Sequence, residues 1–188
     1  MNPSKRETVL DTAEHLFYEE GFHATGIDRV VAEAGVARMT LYNHFPSKEA
    51  LVESVLERRY RRYLDDLHDA VAGRGNDSAV AAMAERHNEW LRTRSRSGCI
   101  LLKAIGEFQR HRPALAERGR ELKRELLTLI SEALSIDGYH RDEALAERVM
   151  MILEGANALA PVLGSERVVV QVESMLASVL GSTAERSS

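Results

Sequence analysis

Apolar residues recur every three or four positions along nearly the whole chain, and no run alternates as a half-buried strand does. The pattern predicts an all-α protein of about nine helices. Ser4 opens the first, with Glu7 three residues on to close a capping box, and Val9, Leu10, Ala13, Leu16 and Phe17 fall on one face. Gly21 ends that helix, because the residue just past a helix often needs positive φ. Thr25 is expected to cap a second helix whose inner face is Ile27, Val30, Val31 and Ala34. Gly35 turns the chain. A third helix is expected over 37–45, and Pro46 cannot continue it. Ser47 caps a long fourth helix, reaching about residue 71, with Leu51, Val55, Tyr63, Leu64 and Leu67 inward.

Beyond the loop cluster at 73–77 (GRGND), helices are expected at about 78–94, 99–110, 113–134, 142–163 and 166–180. Pro113 suits a first helical turn. Residues 95–98 and 135–140 read as interruptions, and the tail from Gly181 as frayed. No repeat of solenoid period is present. The organisation predicted is an N-terminal three-helix helix-turn-helix unit over 1–46, then a larger helical ligand-binding and dimerisation domain over 47–188, with helix 47–71 as connector.

Three short helices with a glycine turn between the second and third form the helix-turn-helix pattern. The third helix has two sides. Ala37, Leu41 and Phe45 are expected to face a small core, and Arg38, Met39, Tyr42 and Asn43 to lie on the opposite stripe. Such a stripe is unusual against water and suited to a major groove. Arg can take a guanine edge, Asn an adenine edge and Met a thymine methyl, while a Tyr hydroxyl reaches phosphate. The helix N-termini after Thr25 and after Ser47 offer free N–H groups to phosphates, with Thr25 and Lys48 adding side-chain contacts.

Composition sharpens this. The formal net charge of the 188 residues is −4, so nothing draws the whole chain to nucleic acid and a local surface must do so. Residues 1–46 carry Lys5, Arg6, Arg29 and Arg38 against seven acids, a balance of −3. Few phosphate contacts per subunit follow, and affinity is expected to lean on dimerisation and helix termini. The basic run Arg58, Arg59, Arg61, Arg62 lies too far along the fourth helix for DNA and reads as a solvated face or domain seam. The one cysteine, Cys99, excludes an internal disulfide and reads as a small packed residue. The seven histidines, His140 among them, do not cluster at metal-ligand spacings. No enzyme motif is present: no phosphate-binding glycine loop, no H-E-x-x-H, no nucleophile elbow. No cofactor and no metal are expected. The N-terminus is charged, unlike a signal peptide, and the most apolar run, 149–164, is broken by Glu154, Asn157 and Pro161. A cytoplasmic protein with no membrane contact is expected.

Phe22, Thr25, Ile27, Val30, Ala34-Gly35-Val36, Thr40-Leu41-Tyr42, His44-Phe45, Ser47-Lys48-Glu49 and Leu51 together resemble the DNA-binding region of the tetracycline-repressor (TetR) family, over residues 9–55. The resemblance implies a homodimeric transcriptional repressor that a small ligand releases from operator DNA. Residue by residue, it implies phosphate contacts from Thr25, Tyr42, His44 and Lys48, and base contacts from Ala37, Arg38, Met39 and Thr40. Many members have a small residue where this chain has Met39, which bears on the operator sequence read. The alternative is an all-helical small-molecule-binding or adaptor protein without operator binding.

In the C-terminal half, 149–162 is apolar nearly all round and must be covered on several sides. Leu145, Val149, Ile152, Leu153, Ala156 and Ala160 form one stripe, and Val169, Val172, Met175, Leu176 and Val179 another on the last helix. These stripes are expected to join a second copy in a four-helix seam; the family resemblance likewise implies a homodimer through the last two helices. Candidate lining for an effector cavity is Met83, His87, Trp90, Ile105, Phe108, Gln109, Met150, Glu154 and Asn157, soft apolar surface with a few polar anchors.

Overall fold

The structure, a computed structural model, describes residues 4–139 and 142–184. His140 and the last four residues of the expected frayed tail lie outside them. Among the described residues every regular element is helical: α1 Lys5–Glu20, α2 Ile27–Ala34, α3 Arg38–His44, α4 Lys48–Gly73, α5 Ala79–Thr93, α6 Ile100–Phe108, α7 Pro113–Ile136, α8 Glu143–Leu163 and α9 Ser165–Ala184. The chain forms two compact units. One gathers the residues up to Arg61 with Ile100–Leu122; the other holds Arg62–Cys99 and the chain from Lys123 onward. Compactness therefore divides the chain differently from the boundary drawn at residue 46.

Local chemistry sets the helix ends. The capping box of α1 is closed, with the Glu7 N–H donating to Ser4 Oγ (3.2 Å) and the Ser4 N–H to the Glu7 carboxylate (2.9 Å). Gly35 follows α2 in the left-handed region at φ 63°, where a side chain would be strained. Ser47 caps α4 through the Ala50 N–H (3.1 Å). α9 continues as helix to Ala184, past the point expected to fray at Gly181. Its buried stripe Val168, Val169, Val172 and Leu176 anchors the helix upstream.

Two expectations in the N-terminal unit are corrected. Gly26, not Thr25, is the N-cap of α2. Thr25 is fully buried, and its hydroxyl donates back to the Gly21 carbonyl at 2.8 Å, bracing the turn after α1. Ala37 is the N-cap of α3 and is exposed; the inner face there is Leu41 and Phe45 alone.

The N-terminal unit includes an element that no local pattern assigns to it. Phe22 is wholly buried with its ring 5.4 Å from Phe17 and 5.3 Å from Phe108 of α6. Glu107, next to Phe108, accepts from the His23 N–H (3.0 Å), the Phe22 N–H (3.4 Å) and the His23 ring at Nδ1 (2.7 Å). Lys103, one turn earlier, donates to the Tyr18 carbonyl near the end of α1 (2.8 Å). Thus α6 fastens the α1–α2 turn. α7 can lie close to α6 because residue 119 is glycine: a Cβ there would meet Ile105 Cγ1 at 3.0 Å. The first two arginines of the basic run of α4 turn inward to the acids of α1, while Arg61 stays exposed and pairs with Glu57 on its own helix. Arg58 meets Asp11 and Glu14, and Arg59 meets Glu14, at 2.8 to 3.0 Å. That pairing neutralises part of the acidity that marked this unit in the sequence.

The second unit packs α5, α8 and α9 with the later parts of α4 and α7. Its core contains three buried polar pairs. Lys123 Nζ lies 2.5 Å from Glu154 Oε1. Tyr63 Oη lies 2.8 Å from His87 Nδ1. Ser95 donates to Asn157 Oδ1 at 3.0 Å. Burial, then the neighbouring Lys123 ammonium, pushes the His87 pKa down from 6.5 to about 3, so the ring is neutral at pH 7. A buried histidine of this kind stabilises the fold above its unfolded pKa of 6.5, and that contribution is lost as pH falls toward 3. Lowering the pH from 7 to 5 is expected to cost about 2 kcal/mol through this residue, read as a drop in urea midpoint that His87→Gln abolishes. An equal pH dependence in both proteins would contradict it.

Candidate DNA-binding face

α3 is short and presents most of its side chains to solvent. Leu41 is completely buried and Phe45 nearly so, which fixes its rotation. Arg38, Met39, Asn43 and His44 are then exposed, and Thr40 and Tyr42 half-buried. Met39 is 71 % exposed, an apolar side chain held in water with nothing to cover it. Arg38 Nη1 donates to Asp28 Oδ1 at 2.8 Å, and its guanidinium carbon lies 5.8 Å from the Tyr42 ring centre. The Tyr42 hydroxyl and then the Asp28 carboxylate hold the Arg38 pKa above its ordinary value, so its charge is permanent.

The flanking groups are partly as expected. Lys48 opens α4 and is half-buried; burial lowers its pKa against the pull of Glu49 and Glu107. The Thr25 hydroxyl is spent on Gly21, and the backbone N–H groups that start α2 have no side-chain cap. Sequence reasoning missed Asp28 as a partner of Arg38. The two stand ten residues apart across the turn, and no periodicity links them.

The expected cavity residues are divided. Ile105, Phe108 and Gln109 belong to the N-terminal unit, where Phe108 packs on Phe22 and Gln109 is exposed just past α6. Met83, His87, Trp90, Met150, Glu154 and Asn157 fall in the second unit. Met83 and His87 are fully buried, Trp90 and Asn157 nearly so, and Met150 half-buried. Glu154 is held by Lys123, a residue the sequence did not single out. Two atoms of this group have no hydrogen-bond partner: His87 Nε2, although the Leu153 backbone lies close enough to act on the ring, and Glu154 Oε2.

The stripes expected to meet a second copy are mostly used up within the chain. Leu145, Val149, Ile152, Leu153, Ala156 and Ala160 are all buried, as are Val169, Val172 and Leu176. What remains outward is the opposite side. On α8 it is Met151, Ala158, Leu159 and Val162, and on α9 Val170, Ser174, Ala177, Ser178 and Gly181, each set at helical spacing. Because α8 is apolar all round, its sequence could not say which side the chain itself would cover.

This geometry defines a helix-turn-helix protein of the DNA-binding class. Residues 9–55 match the family described as bacterial regulatory proteins, tetR family. The transcriptional repressor NemR of Escherichia coli K12 is 30 % identical over 132 residues, which cover 69 % of this chain and 66 % of that one. The repressor KstR2 of Rhodococcus jostii aligns over a shorter length, 41 % identical over 63 residues, 34 % of this chain and 29 % of its own. Among solved structures, a TetR-family transcriptional regulator from Streptomyces coelicolor superposes with a TM-score of 0.81 at 30 % identity, over 93 % of this chain and 95 % of its own. A TetR regulator from Legionella pneumophila shares the fold with a TM-score of 0.83 at 21 % identity, over 95 % and 98 %. The chain belongs to the TetR family of bacterial transcriptional regulators. Its relatives are regulators of transcription, and no helix among the described residues is long and apolar enough to cross a membrane.

Proposed function

We propose that this chain is a homodimeric, cytoplasmic repressor that reads operator DNA with α3 and is released by a small-molecule effector bound in the second unit. The observation that carries the reading is the outward face of α3, where Arg38, Met39 and Asn43 stand exposed around a helix fixed by Leu41 and Phe45. Residues 1–46 are the reading part. Arg38 and Asn43 take base edges, Met39 a thymine methyl, and Ala37 and Thr40 line the same approach. Tyr42, His44 and Lys48 hold phosphates, together with the backbone after Thr25. The dimer forms through the outward faces of α8 and α9, which leave Met151, Leu159, Val162, Val170 and Met175 between 49 % and 75 % exposed. The effector site draws on Met83, His87, Trp90, Met150, Glu154 and Asn157; the unsatisfied His87 Nε2 and Glu154 Oε2 support this, since buried polar atoms left unpaired are costly. α4 and α7 each contribute residues to both units.

The test is operator affinity by fluorescence anisotropy. Arg38→Ala is expected to lose about tenfold or more, the worth of one good base contact, and Tyr42→Phe severalfold. Unchanged affinity in both variants would overturn the assignment of the reading face.

A further inference from the structure

Arg38 is not free to wander on the α3 face. Its guanidinium is gripped by a carboxylate from a different helix, Asp28 in the first turn of α2, at 2.8 Å. The pair is at the surface: the side chains are 59 % and 79 % exposed. Pairs this exposed add little to stability, so holding the fold together is a poor account of it. Its placement suits something else. Asp28 stands at the N-terminus of α2, one of the two places where backbone N–H groups invite a phosphate. A carboxylate there offsets that attraction. A guanidinium carries five N–H donors in a planar fork. Asp28 takes Nη1, and the Tyr42 side chain engages the same guanidinium, its ring centre 5.8 Å away.

Resting on α3 as the DNA reader, we propose that Asp28 is a positioning residue that sets sequence specificity. It holds the Arg38 fork for the O6 and N7 acceptors of guanine, and its charge weakens binding to any duplex that offers only phosphates. Both effects act in the same direction. Pre-ordering Arg38 lowers the entropy lost on contacting guanine. Repulsion from phosphate lowers the non-specific binding that dominates sequence-blind affinity. The acidity of the reading unit, a puzzle in its sequence, becomes in part a discrimination device.

The experiment uses the whole 188-residue chain and three kinds of duplex of equal length. They are a genomic site selected by the wild type, that site with each half-site guanine in turn replaced by adenine, and an unrelated sequence. Asp28→Asn keeps the shape and removes the charge. It is expected to tighten binding to the unrelated duplex about threefold or more, and to cut discrimination at one guanine position from about thirtyfold to about threefold. Its urea midpoint is expected to match the wild type. Asp28→Glu is expected to restore part of the discrimination. In an Arg38→Ala background, Asp28→Asn is expected to leave base discrimination at that position unchanged. Full discrimination in Asp28→Asn, or an equal loss in the Arg38→Ala background, overturns the proposal. A wild type without any sequence preference overturns the DNA-reading function itself, and this inference with it.

Discussion

Placing aspartate at both Val162 and Val170 is expected to convert the dimer to a monomer at micromolar concentration and to weaken operator binding by at least about a hundredfold. Val162 is 75 % exposed and Val170 59 % exposed within one chain. Neither substitution disturbs the core of that chain, so each monomer is expected to stay folded, with its helical circular dichroism unchanged, while the urea midpoint falls by the part that dimerisation contributes. The effect arises between chains. A two-fold interface presents every substitution twice, so four carboxylates would be buried against small and apolar groups. An unpaired buried charge costs several kcal/mol. At the proposed seam the small exposed residues Ser174, Ala177, Ser178 and Gly181 on α9 would let a second backbone approach closely and leave no room to solvate the new charges. Operator affinity falls with it because one helix-turn-helix unit with few phosphate contacts holds only one half-site. Sedimentation velocity reads the first effect and anisotropy the second. A dimer that survives both substitutions would place the seam elsewhere.

The second large effect lies inside one chain. Glu154→Leu is expected to destabilise the second unit by about 3 kcal/mol or more, because it removes the carboxylate paired with the buried Lys123 charge. The side chains of Lys123 and Glu154 are only 9 % and 14 % exposed. Burial alone would lower the Lys123 pKa; the Glu154 carboxylate paired with it opposes this, and the pKa stands above its ordinary 10.5. A lysine so shifted contributes stability that is complete below its unfolded pKa and lost only as pH rises through the folded one. Lys123 therefore gives no pH dependence between pH 6 and 9. The double variant Lys123→Met with Glu154→Leu is expected to recover most of the loss, since well-packed apolar groups often replace a buried ion pair at little cost. A single variant that loses less than about 1 kcal/mol, or a double variant no better than the single, would contradict this account.

What was legible in the sequence was mostly local. The capping box at Ser4 and Glu7, the turn at Gly35 and the stop at Pro46 act through neighbours three or four residues apart, and each fell where expected. Thr25 shows where that logic fails. A threonine before a helix carries the same sequence signal whether it caps forward or bonds back, and here burial beneath the turn chose the bond to Gly21. The longer-range features were not readable. Glu107 reaches the α1–α2 turn from about 85 residues away. Lys123 looks like any charged residue of an amphipathic helix until α8 covers it. The exposed face of α3 was legible because one side needed Leu41 and Phe45 for packing and the other carried groups left in water. Its tether to Asp28 depended on how two helices cross, which periodicity does not encode.

The central claim is sequence-specific operator binding by a symmetric dimer through α3. Selection of genomic fragments by the purified wild-type protein, followed by sequencing, tests it most directly. The expected result is a small set of enriched sites with two-fold symmetry, guanine at matched positions in both half-sites, and no enrichment with Arg38→Ala. Fragments enriched without symmetry, or enriched equally by the wild type and Arg38→Ala, would contradict it.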